Sequence, residues 1–558
     1  MAARKLISFI IAFSTFILLA GAVLVLAASL QMTIVFRQNV QNDLFDYVPE
    51  NLPVLLALMA ASLLGMFFLY RSRRFRLLCS WRDNGRFRIG KILEGLLVFV
   101  LLYGLFLIYA IRGVATNDAL QLNGIIGEFM QGNYSALNDA GYLGSYPFQI
   151  GYVMIGQILY RIAGPGNFLV YQILNLISII LTVYCLYRIT AVVFHSEAAA
   201  ELMTVLGFGA LFYYTYTTFV YNDVWSIFLQ TAAMYMQAVY LTEKQASTAH
   251  AAEGKTGRCP AFLYEIAAAV LIALGYLLKS NCLIALIAMI IVLLFSILRD
   301  LVSGMAGNGK RADLRAALQK TLMIVLLIVM TFGCSRLVNA HYAAAAGLEA
   351  MPKGVPTTSY LAMGMMEGEE GKAGWYNGFN VGVYRDHQYD WDAANAASIE
   401  QIRSRFADFM SSKRRMVRFY CDKFISQWGD GTCVSLREQE LTGRHAENQP
   451  AVGSWLTFGT GYRIIGWVMN VYHSLIYLGV VIYCFDLFRR LRALAGVSEA
   501  EAMLVIFIIG GMLFHELWEA SGRYVIRYYL MMLPLAAYGY SAVFGLTGRH
   551  RGENRKAY

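Results

Sequence analysis

Ionisable side chains recur in this sequence at points where a long apolar run ends or begins. Asp118 follows such a run within "GVATNDALQLNGIIGEF", and Asp223 stands in "FVYNDVWS" between two others. Lys279 ends the run in "GYLLKSN", and Arg523 and Arg527 begin the last run in "GRYVIRYY". Because ionisable groups at membrane depth are costly, residues in such positions are the first candidates for a functional site.

Carboxylates and cations of these types could together transfer a sugar from a lipid phosphate to a hydroxyl group. A carboxylate at the lipid interface can take the proton of the acceptor hydroxyl, while Lys or Arg neutralises the departing phosphate. Arg suits the second task because its planar fork holds two oxygens at once. Aromatic residues, at 14% of the chain, suit both the membrane interface and stacking on a sugar ring.

Each of these residues also has a structural alternative. Asp118 and Asp223 each precede a helical pattern, so either could cap a helix N-terminus. Lys279, Arg523 and Arg527 could extend from the ends of helices to lipid head groups. For any residue alone the alternatives stay open, and only the gathering of all five on one membrane face would favour a site.

The elements that must position these residues are membrane-spanning helices. With 58% hydrophobic and 15% charged residues among 558, the chain has the composition of an all-α polytopic membrane protein and not of a soluble one. The net charge of +10 lies in short loops between apolar runs, which indicates topology and not nucleic-acid binding. We predict about twelve spans, at 6–30, 52–70, 91–111, 166–189, 201–219, 224–242, 261–278, 281–299, 320–338, 460–487, 501–519 and 525–546.

Loop charges predict the orientation of these spans. The loop "RSRRFRLLCSWRDNGRFRIGK" carries eight Lys or Arg against one Asp and is therefore expected to be cytoplasmic. Both termini then lie inside, and Asp118 lies outside in a multi-pass protein of the cell membrane. The orientation requires that "YPFQIGYVMIGQILYRIAG" does not cross, so we predict an interfacial helix there.

Four segments follow from this topology. They are an N-terminal two-helix hairpin with its basic loop (1–90), a transmembrane core (91–338) that includes a first outer loop (112–165), a long extracytoplasmic loop (339–458), and C-terminal helices with a basic tail (459–558). The long loop contains two amphipathic patterns, "SIEQIRSRFADFM" and "RRMVRFYCDKFISQW". Its Gly-rich part, "KGVPTTSYLAMGMMEGEEGKAGWYNGFN", is either a mobile lid or a structural loop, and Cys421 and Cys433 are either bridged or free.

These segments resemble the GT-C class of integral membrane glycosyltransferases, particularly bacterial relatives of glycosyltransferase family 39 and the protein mannosyltransferases. "TNDALQLNGIIGEFMQGNY" followed by "YPFQIG" resembles the first outer loop of that class, and "FVYNDVWSIFLQTAAMYM" its second acidic loop. "ALGYLLKSNCLIALIAM" resembles its Lys-bearing segment and "GRYVIRYYLMMLPLAAYGY" its late Arg-Tyr helix. The resemblance implies a GT-C-like bundle.

By this resemblance, Asp118 matches the catalytic acidic residue of the first loop and Asp223 a second acidic residue near the site. Lys279 and Arg523 match the helix-end Lys and the late Arg, and we infer that they bind the donor phosphate together with Arg527. We further expect four substrate-pocket residues: Tyr146, Gln149, Glu519 and Tyr524.

No metal or other cofactor is indicated by the sequence. Many GT-C members carry two adjacent acidic residues in the first loop, whereas here Asn117 precedes Asp118. The eight cysteines form no C-x-x-C pair or His/Cys cluster. We therefore expect metal-independent transfer, with a divalent cation as the alternative.

The expected function is transfer of a hexose from a polyprenyl-phosphate-linked donor to an envelope acceptor on the extracytoplasmic face. The acceptor is a glycan, a teichoic-type polymer, a lipid or a protein, and Asp118 is the expected general base. A transporter or flippase is the alternative, but it predicts inverted repeats, broken helix pairs and charge at the bilayer midplane. A scaffold subunit explains the spans but not the charges at one edge.

Overall fold

The computed structural model describes residues 2–40, 42–72, 82–83, 86–87, 90–249, 261–306, 310–493 and 497–545. These residues form helices and two short antiparallel hairpins, Met32–Phe36 with Phe45–Pro49 and Arg82–Asp83 with Arg86–Phe87. The predicted all-α polytopic membrane class is confirmed.

Helices occupy most of every predicted span, although one of the twelve is broken. Within the described residues, nine helices are long and apolar enough to cross a membrane: Ala2–Gln31, Leu52–Arg71, Lys91–Ile111, Phe168–Phe194, Ala261–Leu278, Cys282–Ala306, Lys310–Ala345, Gly459–Arg492 and Glu499–Leu517. The predicted span 201–219 is broken, because Glu197–Gly207 and the following segment Leu211–Thr218 meet at 58°. The predicted spans 224–242 and 525–546 are the helices Asp223–Ala249 and Gly522–Val543, which have the length of a span but are not among those nine.

Small residues allow the two central helices, Gly459–Arg492 and Gly522–Val543, to pack closely. A Cβ on Gly539 would lie 2.4 Å from the carbonyl oxygen of Gly479, and a Cβ on Gly479 would lie 2.7 Å from the Ala536 side chain. Glycine at such positions lets helix backbones approach inside a membrane bundle. This contact fixes the helix that carries Arg523 against the interior.

Two long loops meet at one end of the bundle, which we call the loop end. The first loop holds the helices Asn117–Met130, Tyr142–Ser145 and Ile150–Ala163, together with short 3-10 turns at Ser135–Leu137 and Pro147–Gln149. The helix Ile150–Ala163 has 14 residues, too few to cross a bilayer, as expected for the predicted interfacial helix.

The second long loop is mostly helical. Its two predicted amphipathic segments are the helices Trp391–Ser411 and Lys413–Trp428, whose Phe409 and Phe419 rings pack with centroids 5.2 Å apart. The remaining elements are the helices Thr357–Gly364, Phe379–Asp386, Ser435–Arg444 and Ala451–Thr457 and the 3-10 turn Glu369–Gly371. Cys421 and Cys433 in this loop are both free thiols.

The N-terminal helix pair is integrated into the bundle. Helix Ala2–Gln31 packs against Gly459–Arg492 and Glu499–Leu517. The hairpin that follows it reaches the loop end and buries a small hydrophobic cluster with the second long loop and the last interhelical connection: Ile34, Phe36, Phe45, Trp375, Val434 and Ala520.

Candidate active site

A cavity of about 1300 Å³ lies at the loop end, between the two long loops and the ends of the spans. Seven of the nine predicted site residues line it: Asp118, Tyr146, Gln149, Lys279, Glu519, Arg523 and Tyr524. Residues more than 400 positions apart in the sequence are thereby brought together, which no single motif of the chain could show.

Lys279 forms an ion pair with Asp223 at the wall of this cavity. Lys279 lies in the turn between helices Ala261–Leu278 and Cys282–Ala306, and its Nζ is 2.5 Å from Asp223 Oδ1. The two side chains are only 13% and 3% exposed. Burial lowers the pKa of Lys279 to about 8, against the opposing effect of the Asp223 charge.

Asp223 directs its carboxylate to Lys279 and not to a helix N-terminus. It is the first residue of helix Asp223–Ala249, and its Oδ2 is buried without a hydrogen-bond partner among the described residues. The neighbouring Asn222 Nδ2 donates to the carbonyl of Leu278 at 2.5 Å, which ties the start of one helix to the end of the other. The position of Lys279 therefore depends on this junction.

Arg523 is the second cation of the cavity and pairs with Glu438 at 2.9 Å. Its guanidinium also lies 5.4–5.8 Å from the ring centroids of Tyr524, Phe219 and Tyr221, within cation–π range. Burial raises the pKa of Glu438 to about 7, and Arg523 acts in the opposite direction. One donor, Arg523 Nε, is buried and has no partner in the part of the chain that the structure describes.

A tight turn positions Glu438. Asp430 accepts hydrogen bonds from the backbone N–H groups of Thr432 at 2.9 Å and Val434 at 2.6 Å. Cys433 and Val434 have positive φ angles of 48° and 64°, a strained conformation for residues other than glycine. This turn starts helix Ser435–Arg444 and sets the direction from which Glu438 reaches Arg523.

Asp118 presents an exposed carboxylate to the cavity. It is the second residue of helix Asn117–Met130, and Thr116 occupies the N-cap position that the alternative interpretation gave to Asp118. Burial, with the charges of Tyr221 and Asp118, raises the pKa of the neighbouring Tyr142 above its ordinary value. Because the Asp118 side chain is exposed within the cavity, its carboxylate is accessible to an incoming hydroxyl group.

Glu519 adds a second carboxylate from the connection between the last two helices. Burial raises the pKa of Glu519 to about 7, Arg523 opposes this, and the charges of Asp118 and Asp43 add to it. Tyr524 donates a long hydrogen bond of 3.5 Å to Glu519 Oε2.

Lys423 holds the connection that carries Glu519. This lysine is fully buried, and its Nζ donates to the carbonyls of Gly364 at 2.6 Å, Glu516 at 2.8 Å and Trp518 at 2.7 Å. Burial lowers its pKa to about 8. The ammonium group thus ties a helix of the second long loop to the cavity wall.

The first long loop contributes Tyr146 and Gln149. Gln149 Nε2 donates to the hydroxyl of Tyr221, and the Tyr146 ring lies 5.1 Å from that of Tyr142. Gly354 of the second loop packs here with φ +73°, where a Cβ would lie 2.6 Å from Pro147. The two loops therefore form one continuous wall.

Arg527 is not brought to the cavity wall. Its side chain is 2% exposed, and its guanidinium donates to Gln230 Oε1 at 2.8 Å and Ser226 Oγ at 3.2 Å. It lies one helical turn beyond Arg523, inside the bundle. Arg527 therefore does not line the cavity, and its phosphate-binding role stays a prediction.

One side of the cavity is apolar. Leu283, Ile284 and Ile287 at the start of helix Cys282–Ala306 line it, as does Phe514. Ile287 is 47% exposed on the bundle surface. The cations of the site therefore lie in the same cavity as an apolar surface.

Sequence reasoning missed several lining residues, among them Glu438, Tyr221 and the hairpin residues Asn42 and Asp43. The signal for Asn42 and Asp43 was the polar stretch "RQNVQND" between two apolar runs, and the signal for Glu438 was the acidic segment "SLREQE" after "GDGTCV". Among the residues that the structure describes, no group of three or more His, Cys, Asp or Glu side chains could hold a metal ion.

Comparisons with known proteins match the chain to one family model and to distantly similar solved structures. A family model described as conserved hypothetical integral membrane protein matches residues 6–544. No curated protein matches the sequence. The solved structures that are similar in part include the archaeal oligosaccharyltransferase AglB from Archaeoglobus fulgidus, in complex with an inhibitory peptide and a dolichol-phosphate, and ArnT from Cupriavidus metallidurans, bound to undecaprenyl phosphate.

Both similarities are distant. AglB is 15% identical, with 83% of this chain and 52% of AglB covered and a TM-score of 0.40. ArnT is 11% identical, with 80% of this chain and 78% of ArnT covered and a TM-score of 0.30. The chain spans about half the length of the oligosaccharyltransferase.

Proposed function

The chain belongs to the family of conserved hypothetical integral membrane proteins, and from the chemistry of its site we propose that it is a GT-C-type membrane glycosyltransferase. In this proposal it transfers a hexose from a polyprenyl-phosphate donor to a hydroxyl group of an envelope acceptor. The single observation that carries the proposal is one cavity in which an exposed carboxylate, two largely buried cations and an apolar wall come together.

The donor occupies the part of the cavity that combines cations with apolar side chains. Lys279 and Arg523 bind the phosphate, and Leu283, Ile284 and Ile287 contact the first isoprene units. The guanidinium of Arg523 and the ammonium of Lys279 provide the hydrogen-bond donors. Charge-assisted hydrogen bonds of this kind are about twice as strong as neutral ones.

Transfer is a single displacement with inversion at the anomeric carbon. Asp118 takes the proton of the acceptor hydroxyl as the acceptor oxygen forms its bond to C1. The bond between C1 and the phosphate oxygen breaks, and its electron pair leaves with the polyprenyl phosphate. Lys279 and Arg523 stabilise the charge that develops on that phosphate.

Asp223 and Glu438 act on the cations and not on the sugar. Asp223 keeps Lys279 charged in a buried position, and Glu438 fixes the direction of Arg523. Asp223, for which the sequence predicts a catalytic role, is thus a positioning residue in this proposal. No step requires a metal ion.

The loop end is the extracytoplasmic face in this proposal, because basic residues lie at the other ends of the helices Leu52–Arg71, Lys91–Ile111 and Gly459–Arg492. The charged groups of the cavity collect at this end of the bundle and not at its midplane. This distribution supports transfer at the membrane surface over transport through the bilayer.

The variant Asp118→Asn tests the proposal. Purified protein in lipid nanodiscs is supplied with tritiated undecaprenyl-phosphate-linked glucose, mannose or galactose, and transfer to a membrane extract is measured. Loss of the general base is expected to lower kcat by about 100- to 10,000-fold.

The matched control is Glu128→Gln, which removes an exposed carboxylate from the same helix outside the cavity. This control is expected to transfer sugar at the wild-type rate. If Asp118→Asn also retained the wild-type rate, Asp118 would not be the base.

A further inference from the structure

The hairpin between the first two helices forms a wall of the cavity that has no contact with the donor in the proposed function. Asn42, Asp43 and Leu44, from the connection between its two strands, line the cavity. Asp43 is 40% exposed and adds to the charges that raise the pKa of Glu519. Asn42 and Asp43 are polar, and all three residues belong to an element that lies outside the spans.

A buried arginine holds this connection in place. Arg437 is fully buried, and its Nη2 donates to the carbonyls of Val40 at 2.9 Å and Asn42 at 3.1 Å. Its Nε donates to Asp43 Oδ1 at 3.3 Å. Arg437 precedes Glu438 in the same helix, so one helix fixes both the hairpin and Arg523.

The Gly-rich segment of the second long loop also contacts the hairpin and holds it in place. Asn42 Nδ2 donates to Glu369 Oε1, and Arg37 pairs with Glu370 at 2.8 Å. The Nζ of Lys372 lies 4.3 Å from the centroid of the Phe45 ring. Asn42 and Asp43 are therefore held by contacts from two elements before any ligand arrives, which reduces the entropy cost of binding.

From this arrangement, and resting on the proposed function, we propose that the hairpin forms the acceptor subsite and that Asn42 and Asp43 bind the hydroxyl groups of a carbohydrate acceptor. An amide and a carboxylate side by side offer both donors and acceptors to neighbouring hydroxyl groups. Glu369 and the Tyr376 ring, which is 51% exposed, extend the same wall. An aromatic face beside such groups suits the apolar face of a sugar ring.

The remaining walls of the cavity suit a lipid donor, so the donor and the acceptor occupy different parts of the same cavity. Lys279, Arg523 and the apolar side chains at the start of helix Cys282–Ala306 provide for a lipid phosphate. The hairpin wall brings the amide of Asn42 and the carboxylate of Asp43 instead. A carbohydrate hydroxyl held there lies in the same cavity as the Asp118 carboxylate.

Direct sugar binding tests the subsite without a donor. Saturation-transfer NMR is recorded on the full chain in nanodiscs with the methyl glycosides of glucose, galactose and mannose. The wild type is expected to transfer saturation to at least one glycoside, and Asp43→Ala is expected to weaken binding of that glycoside about tenfold or more, since a hydrogen bond to a charged group is lost.

The matched control is Asp46→Ala in the same hairpin. Asp46 pairs with Arg37 and lines a separate cavity of about 730 Å³, so its removal is expected to leave sugar binding unchanged. If Asp43→Ala lowers the melting temperature strongly, Asn42→Ala decides the question, because Arg437 contacts the backbone carbonyl of Asn42 and not its side chain.

Two results would overturn the subsite: no saturation transfer to any glycoside in the wild type, or equal binding in Asp43→Ala, Asn42→Ala and the wild type. Donor turnover is measured separately on the same preparations. Absence of turnover with every donor would count against the proposed glycosyltransferase and would leave the sugar-binding result standing.

Discussion

Replacing Lys279 by methionine separates the stability of the cavity from its affinity for the donor. The Lys279 ammonium lies 2.5 Å from Asp223 Oδ1, and the other carboxylate oxygen has no partner among the described residues. Lys279→Met therefore leaves a buried carboxylate unpaired, which costs about 3–5 kcal/mol. A second substitution, Asp223→Asn, removes that charge and is expected to recover most of the loss.

Donor affinity should follow a different pattern. A hydrogen bond from a charged group to the phosphate contributes about 1.5–3 kcal/mol, or about 10- to 150-fold in Kd. The single and the double variant both lack the ammonium, so both should bind undecaprenyl phosphate more weakly by that factor.

The assay combines thermal unfolding in nanodiscs with a binding titration of undecaprenyl phosphate. We expect a lowered melting temperature in Lys279→Met alone and weak binding in both variants. Recovery of binding in the double variant would show that Lys279 acts only by neutralising Asp223. An unchanged melting temperature in Lys279→Met would refute the buried ion pair.

Three further predictions follow from the same geometry. Because burial lowers the pKa of Lys279 to about 8, Lys279 in the unliganded site loses its ammonium proton above that pH. The Kd for undecaprenyl phosphate should then rise by up to about tenfold per pH unit. The variant Lys279→Arg should bind undecaprenyl phosphate without this dependence between pH 7 and 10. Lys423→Met leaves one buried and two partly buried carbonyls without this donor and should lower the melting temperature strongly, whereas Lys423→Arg should recover part of the loss. Equal melting temperatures for the methionine variant and the wild type would contradict the role of Lys423. A cysteine that replaces the exposed Arg403 should react with an impermeant thiol reagent in intact cells, above the background of the native cysteines. A cysteine that replaces Arg489 should react only after lysis. The reverse pattern would invert the proposed orientation.

Residues at the ends of apolar runs could be predicted from the sequence because a charge in such a place is unusual. Asp118, Lys279 and Arg523 were found in this way, and all three line one cavity. Arg527 carried the same signal, but it lies one turn further along its helix, and the sequence does not show which turn reaches the cavity. Depth within a bundle depends on how its helices stack.

Glu438 and Asp43 could not be found by the same reasoning. Both lie in polar segments, where a charged residue is ordinary and most often faces water. Their importance depends on partners far away in the sequence: Arg523 for Glu438 and Arg437 for Asp43. The break between Glu197–Gly207 and Leu211–Thr218 was hidden for a related reason, since the apolar run continues across it.

The pairing of each cavity cation with its own carboxylate has a consequence for turnover. Before a substrate enters, Lys279 with Asp223 and Arg523 with Glu438 carry little net charge. A sugar phosphodiester brings about one negative charge, but the polyprenyl phosphate left after transfer carries nearly two at pH 7. Two uncompensated cations would hold that product more tightly than the substrate and would slow its departure. The carboxylates limit this excess attraction, so the spent lipid can leave the cavity and the next donor can enter.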